Sequence, residues 1–210
     1  MRAPFATLSR FLAVCLLVLA SAAPALSDDQ PPPDRSRDGP RQEWRALAQG
    51  QVDFNISDLA RVPNSLKLAA EHSRCQYREG IQVEPVHFLE TANRLLAIVT
   101  CWGPIKSHQQ VFDLSDRQVV KTLQFPVAAQ PYGFSTSIAA PGIVVWETET
   151  ALFRSETTSD VISTPRARYT YRLDAGTDGF VVLRVEYQLV GAEWTTLWKA
   201  PRWTDLTKRP

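Results

Sequence analysis

The stretch RLLAIVTCW, Arg94 to Trp102, is nearly continuous in apolar residues and closes on a cysteine and a tryptophan. A run of this kind without polar alternation reads as a central strand buried on both faces. QVFDL and VVKTLQF then flank SDRQ as a hairpin. IVVWETE, ALFRSET and RYTYRL extend the series of short β-branched and aromatic runs, broken by Pro, Gly, Asn and Asp. FVVLRVEYQL, Phe180 to Leu189, alternates: Val181, Leu183, Val185, Tyr187 and Leu189 fall on one face, and Arg184, Glu186 and Gln188 on the other. The DAGTDG turn joins it to RYTYRL, with Gly176 and Gly179 free to take positive φ. The expected fold class is mainly β (α+β), an antiparallel barrel or sandwich with one N-terminal helix. That helix is NSLKLAAEH, Asn64 to His72, with Leu66, Ala69 and Ala70 at helical spacing and Asn64 as N-cap. EWRALA, Glu43 to Ala48, is a shorter candidate stopped by Gly50.

The N-terminus predicts export. Arg2 and Arg10 precede FLAVCLLVLA and then the small-residue stretch SAAPALS, the pattern of a cleaved signal peptide over residues 1–27. The apolar run contains Pro24 and is shorter than the ~20 residues a spanning helix needs. Cys15 follows Val14 and is itself followed by LLVLA, which does not fit a lipoprotein acylation signal. The mature chain is therefore expected to carry no membrane anchor and to be periplasmic or secreted. Residues 28–41, DDQPPPDRSRDGPR, hold no apolar side chain except proline and read as a disordered linker. Residues 42–210 read as a single β-rich domain. Loss of Arg2 and Arg10 takes two of the 23 basic side chains, against 22 acidic ones, and leaves a nearly neutral protein with no field for nucleic acid.

Cys75 and Cys101 remain as an even pair in a chain bound for an oxidising compartment, and a structural disulfide is the expected reading. There is no CxxC, and His72 is the one histidine close to either cysteine.

Three of the six tryptophans fall in EWTTLWKAPRW near the C-terminus. If this segment is extended, Trp194, Thr196, Trp198 and Ala200 share a face, and the two indoles are expected in the core. Trp203, beyond Pro201, is expected to be partly exposed. Together, RLLAIVTCWGP, LQFP and EWTTLWKAPRW resemble the C-terminal half of an exported proteobacterial family of unknown function, one that ends in a WPxxWRA-like signature. Cys101, Trp102 and Gly103 match its first element, and Trp194, Trp198 and Ala200 match the second. Thr195 stands where that family has Pro, Lys199 where it has Arg, and no second cysteine pair is present. The resemblance spans roughly the last two thirds of the mature chain and implies an exported, disulfide-containing β-rich domain without implying an activity.

The search for chemistry returns little. GFSTS, Gly133 to Ser137, lacks the second glycine of a nucleophile elbow. His72, His87 and His108 are scattered, and no motif for a metal or organic cofactor is present. Glu147, Glu149 and Glu156 could supply a carboxylate pair for glycoside cleavage, but alternating Glu and Thr is the usual pattern of a solvated strand face. The sequence thus predicts a non-enzymatic exported domain that binds a protein or envelope component, in an inhibitor-like or accessory role. The expected contact surface is the loop from Gly103 to His108 together with AQPYGFSTS, with Trp102, His108, Tyr132 and Trp203 as candidate ligand contacts. The rival reading is an envelope-acting hydrolase or carbohydrate-binding protein that uses Glu147, Glu149 and the tryptophans.

Overall fold

A computed structural model describes residues 39–103, 106–129, 133–157, 165–174, 176 and 178–201. The expected signal peptide, the leader up to residue 38, Tyr132 and Trp203 lie outside the described residues. The described chain is mainly β, with two α-helices rather than the single one expected.

Helix α1 (Pro40–Ala48) begins inside the stretch read as linker. Proline's fixed φ and missing N–H suit the first helical position, while Trp44 and Ala48, four residues apart, supply the buried stripe that a linker would lack. Helix α2 (Asn64–His72) covers the predicted run, buries Leu66 and Ala70, and takes Pro63 rather than Asn64 as its cap.

The first sheet is an antiparallel meander of β1 (Asp53–Ile56), β2 (Val86–Glu90), β3 (Leu95–Cys101), β4 (His108–Asp113) and β5 (Lys121–Thr122). The second runs through β8 (Ile143–Glu147), β9 (Leu152–Glu156), β10 (Arg166–Leu173), β11 (Phe180–Gln188) and β12 (Thr195–Lys199). A two-stranded ribbon of β6 (Phe125–Ala128) and β7 (Phe134–Ser137) lies between them in sequence. Among the described residues neither sheet closes on itself and both contribute to a shared core, so the architecture is sandwich-like and not a closed barrel.

All seven residues of β3 are buried, as its sequence predicted. Leu95, Ala97, Val99 and Cys101 face the helices, where they join Trp44, Leu66, Ala70, Phe88 and Phe112 in one core. The indole N–H of Trp44 donates to the Leu96 carbonyl at 3.3 Å, fastening α1 to the strand. Leu96 and Ile98 point the other way into a second core with Leu89, Val111, Phe125, Phe153, Tyr171 and Phe180 from both sheets and the ribbon. There Phe180 stacks on Phe125 at 4.4 Å and meets Phe153 edge-on at 5.1 Å, and the Tyr171 hydroxyl donates to Pro126 at 3.0 Å. The Gln109 side chain accepts from Val144 N–H at 2.6 Å, tying the first sheet to the entry of the second.

Two β-bulges change the faces read from the alternation. Thr170 pairs with Arg184 and Tyr171 with Val182, so Leu183 is an extra residue and the period of two breaks there. The buried side chains of β11 are consequently Phe180, Val182 and Val185. On the next strand Val185 pairs with Trp198 and Glu186 with Thr196, which leaves Leu197 unopposed. This second bulge separates the two tryptophans expected to share a face. Trp198 packs against the second core and meets Phe134 edge-on at 5.1 Å. Trp194 instead lies under the Arg168 guanidinium, 4.0 Å from its ring, on the outer face where Arg168 pairs with Glu156.

Candidate functional site

The Cys75–Cys101 disulfide is formed, with a Cα–Cα distance of 4.7 Å. It joins the end of β3 to the loop after α2, and both cysteines are buried. That loop leaves the helix through Arg74, whose φ of 58° puts a non-glycine residue in the left-handed region. The turn lets the Cys75 N–H donate to the Ala70 carbonyl at 2.8 Å, which closes the helix end. Immediately beyond the cross-link, Trp102 N–H donates to the Gln76 carbonyl at 2.6 Å in an isolated antiparallel bridge.

This arrangement fixes the Trp102 indole. Its five-membered ring rests on Gly80, where a Cβ would meet the indole nitrogen at 1.7 Å, so no larger residue fits without displacing the ring. The side chain nevertheless remains 38% exposed, whereas Trp44 is fully covered. Trp102 forms one wall of an open cleft of about 580 Å³. Glu71, Arg74, Gln76, Arg78 and Glu79 bring polar groups to a lining that also includes Cys75, and Glu71 pairs with Arg78.

Tyr77 also lines this cleft. The residue is 3% exposed, and its buried hydroxyl has no hydrogen-bond partner among the described residues. Burial pushes its pKa up to about 12, with the Arg78 charge opposing the rise, so it remains a neutral O–H donor at physiological pH.

His108 lies opposite Cys101 on β4. Burial lowers its pKa, and its Nε2 lies 3.2 Å from the Gln110 amide nitrogen. The same amide nitrogen approaches Ser73 O at 3.5 Å, so His108 and Gln110 support the helix end that carries Arg74.

Of the four contacts named from sequence, Trp102 and His108 come together at the disulfide, and Tyr132 and Trp203 fall outside the described residues. Phe134 of the AQPYGFSTS segment packs on Trp198 instead. The GFSTS serines lie in or beside strand β7, without the strand-to-helix turn that exposes a nucleophile. Glu147 is ion-paired with Arg154, Glu156 is held by Arg166 and Arg168, and Glu149 sits in the turn between β8 and β9. Among the described residues no three His, Cys, Asp or Glu side chains converge as a metal site would require. Sequence reading missed Tyr77, Arg74, Gln76 and Gly80. The signal available for one of them was the cysteine pair itself, since joining Cys75 to Cys101 forces their successors Gln76 and Trp102 together.

Comparison of the chain with protein-family models, curated proteins and solved structures yields no match.

Proposed function

We propose that this chain is a binding module of an oxidising compartment outside the cytoplasm, taking up a protein or envelope component at the disulfide end of its first sheet without catalysing a reaction. The observation that carries this reading is Trp102, an indole held open on a rigid frame. Leaving over a third of it uncovered forgoes roughly 1–2 kcal/mol of burial. A cross-link, a backbone bridge and an obligatory glycine keep it in that position. Such preorganisation favours recognition, because the side chain pays little further ordering entropy when a ligand arrives. The signal-like N-terminus and the disulfide support export, and no helix among the described residues is long and apolar enough to cross a membrane.

Purified full-length chain, freed of its signal, should be retained saturably by isolated cell-envelope material. Trp102→Ala should abolish that retention while the melting temperature stays within a few degrees. Equal retention of both forms would remove the basis for placing the site at Trp102.

A further inference from the structure

We infer that the ligand of the Trp102 cleft is an uncharged saccharide, with one sugar ring stacked on the indole. This rests on the reading of that cleft as the binding site and goes beyond it by naming the chemical class. A pyranose has two distinct kinds of surface: patches of C–H bonds on its faces, and hydroxyls around its rim that each donate and accept. A partner therefore needs an apolar plate and a border of mixed donors and acceptors, and the cleft supplies both.

Trp102 is the plate, rigid and partly open. Around it, Glu79 offers a carboxylate acceptor, Arg74 a guanidinium donor and Gln76 an amide that does both, while Glu71 and Arg78, paired with each other, keep further acceptors and donors at the rim. The two carboxylates balance the two guanidiniums, so the cleft has no net charge with which to select a phosphate, a polyanion or a basic peptide. A neutral, hydroxyl-rich molecule matches this balance.

The volume of about 580 Å³ falls among small-ligand sites, roughly 300–1,000 Å³, and suits a short oligosaccharide rather than a folded surface. The outer face of the second sheet offers no such open plate: Trp194 there is already covered by Arg168, whose guanidinium lies 4.0 Å from its ring.

The test uses the ¹⁵N-labelled chain freed of its signal, following its six tryptophan indole N–H signals by NMR, with that of Trp102 assigned by its loss in Trp102→Phe. Chitotetraose, cellotetraose and maltotetraose are titrated separately into the millimolar range, with polygalacturonate as the charged comparison. At least one neutral tetrasaccharide should move the Trp102 signal saturably. Trp102→Ala should weaken binding at least tenfold, Trp102→Phe less, because it keeps an aromatic plate.

No shift with any neutral tetrasaccharide, undiminished binding by Trp102→Ala, or preference for polygalacturonate would each overturn the inference. If the saccharides fail while envelope retention still depends on Trp102, the ligand class is wrong and the site stands, with a protein as the remaining occupant. If retention is also independent of Trp102, the site itself is wrong.

Discussion

Removal of the Cys75–Cys101 cross-link should cost about 3.5 kcal/mol, felt almost wholly through the unfolded chain. The bonded residues are 26 apart, and for a loop of that length the chain-entropy relation gives about 12 cal/mol/K, or about 3.5 kcal/mol at 25 °C. The native side should change little. The helix end stays closed by the bond from Cys75 N–H to Ala70, β3 stays buried on both faces, and the Gln76–Trp102 bridge does not depend on sulfur chemistry. The assay is urea denaturation followed by tryptophan fluorescence, comparing the oxidised protein with its reduced form and with Cys75→Ala/Cys101→Ala. For an m-value of about 2 kcal/mol/M, typical of a domain of this size, the midpoint should fall by about 1.7 M, with m rising somewhat because the unlinked chain unfolds to a more expanded state. A shift below about 0.5 M in both comparisons would refute the reasoning, because it would mean that the bond is absent or that the unfolded chain already holds these ends together.

Replacing Gly80 by Ala should push the indole of Trp102 outward, at a cost of about 1–3 kcal/mol and with a red-shifted emission component, because the new Cβ would sit 1.7 Å from the indole nitrogen. Tyr77→Phe should leave stability unchanged or raise it slightly in thermal melts, since it removes a hydroxyl with no partner among the described residues; a clear loss would reveal a bond that the hydroxyl does make. His108, whose folded pKa is lowered by burial, should draw stability down as pH falls below about 6.5, because the unfolded imidazole takes up protons first. Denaturation midpoints between pH 8 and pH 5 should show that slope, and His108→Gln should flatten it. Asp113→Ala should destabilise by about 2–3 kcal/mol in urea titrations, because it removes a carboxylate, 2% exposed, that pairs with Arg94 and accepts from Ser115 N–H.

The elements that were legible in sequence are those whose burial is periodic and local. β3 announced itself as a two-faced strand, and α2 matched its apolar spacing from Asn64 to His72. The β10–β11 hairpin was legible, with Leu173 opposite Phe180, but not for the reason expected: neither Gly176 nor Gly179 takes a positive φ, and Gly179 is instead required by its close approach to the Gln124 carbonyl. What escaped depends on pairing between strands. A bulge is a mismatch of two ladders, so Leu183 and Leu197 carry no mark in their own strands, yet each reverses the face of every residue beyond it. The assignment of Trp194 to the core failed for that reason alone. The cleft was partly legible: Trp102 lies at the end of a recognisable strand, whereas the segment from Arg74 to Gly80 has no period and is shaped by a cross-link, a left-handed turn and a glycine contact.

The same physics explains why function is better sought at the end of β3 than across the broad outer face of the second sheet. On that face Arg154 pairs with Glu147, Arg166 and Arg168 with Glu156, and Arg184 with Glu186 at 3.4 Å. Exposed pairs of this kind are weak individually and fade with salt, but they keep a sheet surface soluble and uncommitted. At the end of β3 the order of effects is reversed. Two cores bury the strand along its whole length, its last residue carries the covalent link, and the next residue leaves the protein interior as an indole in an open cleft. Side chains at the ends of rigid elements are held more closely than those on free loops, so the stability of β3 becomes the positional accuracy of Trp102. A mutation that loosens the core on the helix side, such as Leu66→Ala, should therefore weaken ligand binding at Trp102 without touching the cleft. The corresponding change on the outer face, Arg154→Ala, should not.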